Sequence, residues 1–136
     1  MRVITVAPDS AVLTTALGTP PLPSHPRVIS RTVDVAGVAR HYVLVVPRSS
    51  SSDGGRAFPL VLYFHGDGGD GSGMQRSAPF EVASGDTALV AYPDGLGRTW
   101  DLETPTDNRD VAFMEALILD VARDFSIDRQ KVFAVG

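Results

Sequence analysis

The chain has 136 residues, a net charge of −4 and no cysteine. That length accommodates one domain around one hydrophobic core. The lack of cysteine in the sequence excludes disulfide bridges, thiolate catalysis and cysteine-ligated zinc, and the scattered lysines and arginines of this mildly acidic chain give no electrostatic footprint for nucleic acid.

Residues 1–27 are predicted to form an irregular, proline-rich lead, and residues 28–136 to form a folded domain. Pro8 and Asp9 interrupt the apolar runs near the N-terminus, so this segment matches a secretory signal peptide only in a degraded form. No apolar run approaches the roughly 18 residues that a membrane span requires. The residues therefore predict no membrane segment and leave export open.

Two β-prone runs follow the lead on either side of Gly37, and their alternation of apolar and polar residues predicts an antiparallel hairpin over about 29–46. A polar serine- and glycine-rich stretch, residues 48–57, comes next and is predicted to be a flexible surface loop. Nothing around its serines suggests a base or an oxyanion site, so we do not expect a nucleophile there.

Three apolar runs of a different kind end in glycine-rich or Pro-Asp-Gly sequence: residues 60–64, 88–92 and 132–135. Their hydrophobicity is continuous rather than alternating, which is typical of strands buried on both faces in a parallel sheet. Between the second and third runs, spacings of three and four residues predict a helix. The predicted apolar stripe of this helix comprises Val111, Met114, Leu117, Ile118, Val121 and Phe125.

The predicted helix also has polar landmarks. Asp107 is expected to cap it, and Asp110 places negative charge in the first turn, where the helix dipole favours it. Four charged residues are expected to lie largely outside the apolar stripe: Glu115, Asp120, Arg123 and Asp124. The whole order is a hairpin followed by βαβαβ, which predicts an α/β fold with a mixed sheet and right-handed crossovers.

Sites in such sheets lie at the carboxyl ends of the parallel strands. The first of these ends reads HGDGGDGSGM, residues 65–74. Its glycines lack both phosphate-binding patterns, G-x-x-x-x-G-K-[ST] and G-x-G-x-x-G before a clean helix. A His-Gly pair after a buried strand instead favours an oxyanion turn of the α/β-hydrolase kind, with the His65 ring in a structural role. A simple surface turn is the alternative.

The second strand end is followed by YPDGLGRTWD, residues 92–101. Trp100, the only tryptophan, either covers the rim of the core or forms an aromatic wall for a substrate. We expect Arg98 to be solvated or structurally paired and Asp94 to belong to its turn. Asp67 and Asp70 do not follow the order of a calcium-binding loop, and no metal site is predicted.

In combination, LYFHGDGG, YPDGLGRTWD and DVAFMEALILDVARDFSIDRQKVFAVG resemble the polyhydroxybutyrate depolymerase and feruloyl/acetylxylan esterase group of α/β-hydrolases, from about Arg31 onward. The resemblance implies that the last strand leads into a G-x-S-x-G nucleophile elbow whose first glycine is Gly136. The nucleophilic serine would then lie two residues beyond Gly136. No serine of the chain has glycine at both flanking positions, since Ser72 lies between Asp70 and Met74, and Ser84 between Val82 and Asp86.

The same resemblance implies that the backbone N–H of Asp67 is an oxyanion-hole donor and that Trp100 lies near the mouth of the active site. The Asp67 carboxylate must then point outward, because a carboxylate facing a developing oxyanion raises the barrier. The resemblance implies no cofactor and no metal. It implies an ester of a polymer or of a plant-wall phenolic as substrate, and an extracellular location with a role in polysaccharide degradation.

The sequence therefore predicts the N-terminal part of a serine carboxylic-ester hydrolase, inactive by itself because it lacks the nucleophile and the rest of the triad. Its terminal apolar strand is expected to promote self-association. One alternative is a non-catalytic α/β module that binds a sugar or acyl group. Another is an incomplete sequence with no separate function.

Overall fold

The computed structural model describes residues 25–51 and 55–136. Its strands are β1 Arg27–Val35, β2 Val38–Val46, β3 Phe58–Tyr63, β4 Leu89–Pro93 and β5 Ile127–Val135. Its helices are α1 Gly71–Ser77, α2 Phe80–Ser84 and α3 Arg109–Asp124, with short 3₁₀ turns at Arg48–Ser51 and Leu96–Arg98. Most of the predicted lead and residues 52–54 of the predicted serine loop lie outside the described residues.

The five strands form one mixed sheet in the order β1-β2-β4-β3-β5. β1 and β2 are the predicted hairpin, and β2 pairs antiparallel with β4. β3 pairs parallel with β4 on one side and with β5 on the other. The predicted mixed α/β sheet is confirmed, and the carboxyl ends of β3, β4 and β5 meet at one edge.

Helices cover both faces of β3 and β4, which explains the continuous apolar runs of these two strands. No residue of the third run, in β5, is buried. On one face, Leu60, Leu89 and Ala91 pack with the α3 residues Phe113 and Leu117. The opposite face has a second cluster, in which the intervening strand residues contact α1 and α2. Its members are Val45, Val61, Ala88, Val90, Tyr92, Met74 and Phe80.

The predicted helix exists, but two details of it were wrong. Its N-cap is Asn108, whose side-chain oxygen accepts from the N–H groups of Asp110 and Val111, and not Asp107, which has a left-handed φ of 53°. Val111 was placed in the buried stripe, yet its side chain is 57% exposed. The residue that fills the core from this first part of the helix is Phe113, which is fully buried.

Asp120 is a further correction, because it is buried rather than outside the apolar stripe. Its carboxylate accepts a hydrogen bond from the Tyr42 hydroxyl at 2.6 Å and pairs with the guanidinium of Arg31 at 3.0 Å. These contacts join α3 to β1 and β2. Burial, together with the hydrogen bond to Asp120, raises the pKa of the Tyr42 phenol.

β5 lies at the edge of the sheet, where β3 is the only described strand that pairs with it. Phe133 on this strand is 52% exposed. Within the described ranges, no helix is long and apolar enough to cross a bilayer.

Candidate active site

The carboxyl ends of β3 and β5 come into direct contact. The N–H of Phe64 donates to the carbonyl of Val135 at 2.8 Å, which extends the pairing of the two strands by one residue. A Cβ on Gly136 would lie 2.9 Å from the Cβ of Phe64. This close approach requires glycine at position 136 and puts that residue beside the His-Gly sequence.

The His65 side chain is buried and both of its ring nitrogens bind backbone groups. Nε2 accepts from the N–H of Gly95 at 2.9 Å, so it carries no proton. Nδ1 then carries the proton and donates to the carbonyl of Gly66 at 2.6 Å. The ring therefore ties the end of β3 to the turn after β4, in agreement with the structural role predicted for it.

Residues 66–69 form a tight turn in which the N–H of Gly69 donates to the carbonyl of Gly66 at 3.0 Å. Gly68 has a φ of +81°, as the third position of a type II turn requires. Asp67 occupies the second position and is exposed. Among the described residues, none accepts a hydrogen bond from its N–H and none pairs with its carboxylate.

The loop after β4 braces this turn. The N–H of Gly68 donates to the carbonyl of Arg98 at 2.8 Å, and Nε of Arg98 donates back to the carbonyl of Gly68 at 2.8 Å. The indole N–H of Trp100 donates to the carbonyl of His65 at 2.9 Å. Arg98 is thus structurally paired, as expected, and the backbone around Asp67 is held from both sides.

Asp94 was expected to belong to its own turn, but its side chain binds another part of the chain. Its Oδ1 accepts from the N–H of Gly71 at 2.7 Å, so it binds the first residue of α1 across 23 positions of sequence. Asp70 caps the same helix by accepting from the N–H of Gly73 at 2.7 Å. Across residues 25–51 and 55–136, no three potential ligand side chains gather into a metal site.

A mainly apolar cleft of about 500 Å³ opens beside Gly136. The Trp100 ring forms one wall and packs against the His65 ring at 4.8 Å and edge-on against Phe64 at 5.2 Å, between ring centroids. Leu102 and Val111 flank the cleft and are 89% and 57% exposed. The cleft is also lined by Met114, Val135, Asp101 and Asp110. Trp100 therefore both covers the core rim and lines a cavity.

A buried ion pair supports this cleft. The guanidinium of Arg40, which is 3% exposed, donates to Oδ1 of Asp110 at 2.7 Å and lies 4.2 Å from the centre of the Phe113 ring. Oδ2 of Asp110 accepts from the N–H of Asp101 at 2.6 Å and thereby holds the loop that carries Trp100. Sequence reasoning missed Arg40, because its only sequence signal is a charge within a largely apolar strand.

Asp101 shapes the outer part of the same loop. Its Oδ1 accepts from the N–H groups of Glu103 and Thr104 at 3.2 and 3.1 Å. Hydrogen bonds from Thr104 and Glu103 hold the pKa of the Asp101 carboxyl below its ordinary value. The carboxyl group therefore stays ionised at neutral pH.

Of the sequence-predicted site residues, the fold puts Trp100 and Gly136 in the lining of one cleft. Asp67 lies on the turn that immediately follows His65, outside the residues that line the cleft. The supporting residues Arg40, Asp94 and Asp110 come from three different parts of the chain.

Two curated proteins that resemble this chain are both named as feruloyl esterases. The chain is 30% identical over 119 residues to a probable feruloyl esterase C of Aspergillus clavatus, covering 82% of the chain and 41% of that protein. It is 29% identical over 103 residues to feruloyl esterase C of Emericella nidulans, covering 71% of the chain and 36% of that protein. The chain thus spans about two fifths of the length of these curated relatives. No protein-family model matches it.

Solved structures support the fold. A ferulic acid esterase superposes with a TM-score of 0.60 at 16% identity, over 81% of this chain and 48% of that one. An S-formylglutathione hydrolase from Staphylococcus aureus superposes with a TM-score of 0.62 at 16% identity, over 82% and 47% of the two chains. The chain therefore has a partial α/β-hydrolase fold and resembles the feruloyl esterases within that superfamily.

Proposed function

We propose that these residues form the N-terminal part of the active site of a serine carboxylic-ester hydrolase that cleaves esters of plant-wall phenolics. The observation that carries the proposal is the contact between Gly136 and Phe64, which brings the start of the predicted nucleophile elbow next to the His-Gly turn. The feruloyl esterases among the relatives support the choice of ester.

The chemistry follows from this arrangement. In the complete protein, the serine two residues after Gly136 attacks the ester carbonyl and forms an acyl-enzyme. The N–H of Asp67, which has no acceptor among the described residues, binds the developing oxyanion. The residue after the serine supplies the second donor. The exposed carboxylate of Asp67 turns away from the reacting oxygen, and the brace around Gly68 keeps the donor in place.

The 136 residues contain no G-x-S-x-G sequence, and we infer that they do not hydrolyse esters by themselves. The acid and the histidine of the triad follow the serine in this fold. One oxyanion-hole donor without a nucleophile retains little of the rate enhancement of a complete serine esterase.

Two measurements test this function. The coding sequence downstream of the Gly136 codon is expected to begin x-Ser-x-Gly; a frame that encodes anything else refutes the esterase. Purified 136-residue chain is expected to leave p-nitrophenyl acetate intact and to take no label from a serine-reactive phosphonate. Turnover that the phosphonate blocks would show that the chain is active alone.

A non-catalytic binding module is the alternative function, favoured by the mainly apolar cleft that Trp100 lines. The codons downstream of Gly136 distinguish the two functions. A stop codon directly after Gly136 supports the module, whereas the x-Ser-x-Gly frame supports the hydrolase.

We also propose that the protein acts outside the cell in polysaccharide degradation, and that the isolated chain self-associates through β5. The second proposal is supported by the half-exposed Phe133 and by the edge of β5 that faces no described strand.

A further inference from the structure

A second groove, of about 460 Å³, adjoins the apolar cleft. The two share three consecutive residues, Trp100, Asp101 and Leu102, so they are two compartments on either side of one loop. The apolar cleft reaches Gly136, whereas the second groove does not and lies farther from it. Its remaining lining residues are Glu103, Thr104 and Arg109.

Two charged side chains of this groove have no hydrogen-bonding partner within the described part of the fold, although the charge of Arg109 helps to lower the pKa of the Asp101 carboxyl. Among the described residues, neither the Arg109 guanidinium nor the Glu103 carboxylate forms a hydrogen bond or an ion pair. Asp101 adds a second carboxylate, which its hydrogen bonds from Thr104 and Glu103 keep ionised. The groove therefore presents a cationic donor and two anionic acceptors around an indole.

Leu102 lines both compartments and is 89% exposed. An isolated exposed leucine on a surface is ordinary. This one stands beside the half-buried indole and between an apolar and a polar cavity, so a ligand that spans both would cover it.

We propose that the groove of Trp100, Asp101, Glu103, Thr104 and Arg109 is a subsite for an uncharged, hydroxyl-bearing part of the ester substrate. A hydroxyl group both donates and accepts hydrogen bonds, so it can use the carboxylates and the guanidinium together. The two carboxylates outnumber the one guanidinium, which disfavours an anionic group. This inference rests on the proposed function, because it assumes that the apolar cleft beside Gly136 holds the acyl group.

The hydroxyl has two possible sources: the ring of an aromatic acyl group, or the alcohol that is esterified. Two pairs of ligands separate them. Methyl 4-coumarate against methyl cinnamate tests the ring hydroxyl, because these two esters differ only in that group. The feruloyl ester of arabinose against methyl ferulate tests the alcohol. The 136-residue chain lacks the elbow serine, so these esters should stay intact while equilibrium binding is measured.

Trp100 lines both compartments and is the only tryptophan, so its fluorescence reports binding at sub-micromolar protein, where pairing through β5 is limited. Arg109→Ala and Glu103→Ala are the test variants. Arg129→Ala and Glu115→Ala are the matched controls, because Arg129 and Glu115 are exposed and line neither compartment.

In at least one ligand pair, the hydroxyl-richer ligand is expected to bind the wild-type chain more tightly. The test variants are expected to reduce that preference by about three- to tenfold, the range of one hydrogen bond, and the controls to leave it unchanged. Equal affinities in both pairs, or preferences that the test variants do not alter, overturn the subsite while leaving the acyl cleft intact. Lack of binding by all the ligands overturns the acyl cleft and, with it, the subsite.

Discussion

Replacing Arg40 by methionine tests the ion pair that supports the cleft. The substitution removes the 2.7 Å bond to Asp110 and the weaker bonds to the carbonyls of Arg109 and Asp94 at 3.4 Å. It leaves a carboxylate that is only 8% exposed without its counterion. Removing one partner of a buried pair costs about 3–5 kcal/mol. We expect a loss near 3 kcal/mol, because methionine retains part of the packing on Phe113 and Asp110 keeps its backbone donor.

Urea unfolding followed by tryptophan fluorescence measures this loss, with an unchanged dependence on denaturant as the sign that only stability has altered. The control is Lys131→Met, which breaks an exposed ion pair of 3.9 Å to Asp128 and should cost less than about 1 kcal/mol. Adding Asp110→Asn to Arg40→Met neutralises the stranded charge and should recover about 1 kcal/mol. A loss below about 1 kcal/mol for Arg40→Met, or no recovery in the double variant, refutes the reasoning.

Three further predictions follow from the packing. Burial, and after it hydrogen bonding to carboxylates, raises the pKa values of Tyr42 and Tyr92 above 10.0, so the folded state holds these protons more tightly than the unfolded state does. The free energy of unfolding should therefore be constant up to about pH 10 and fall above it. The fall should be at most about 1.4 kcal/mol per pH unit for each tyrosine. Tyr42→Phe should make this fall with pH less steep. If chemical denaturation at high pH gives the same dependence on pH for the variant and the wild type, Tyr42 is not the cause. Gly71→Ala puts a Cβ 2.2 Å from the carbonyl oxygen of Tyr92 and should lower the free energy of unfolding by about 1–3 kcal/mol, as measured by urea denaturation. In the control Gly66→Ala, the new Cβ meets nothing within 4 Å, so the loss in the same experiment should be smaller. Phe133→Lys places a charge on the exposed edge strand and should shift the chain toward monomer in sedimentation; an unchanged mass distribution argues against association through β5.

The helix α3 shows how far the local sequence pattern reaches. Its spacing of apolar residues predicted the element, and Leu117 and Val121 are buried as expected. The pattern could not choose between Val111 and Phe113, since both fit a helical stripe within one turn. The choice was made by Arg40, which lies against the Phe113 ring from β2 and leaves Val111 at the mouth of the cleft.

The position of the helix N-cap depended on the backbone conformation of one residue. Asp107 and Asn108 are both good N-caps, and the chain adopts a left-handed φ at Asp107, so that Asn108 receives the first N–H groups of the helix. Asp120 looked like a solvated helix residue, but it faces Tyr42 and Arg31 across 78 and 89 positions of sequence. No local pattern reports such partners.

By itself, the sequence determined the mixed sheet, the strand ends that face the site, and the absence of a G-x-S-x-G serine from these residues. Continuous apolar runs, helical spacing and glycine content are properties of neighbouring residues, and they are enough for those conclusions. Only the tertiary structure decided that His65 reaches Gly95 over 30 positions and that Arg40 reaches Asp110 over 70. The physical reason is that a buried polar group bonds to whatever donor or acceptor the packing brings within about 3 Å, and packing is a property of the whole chain.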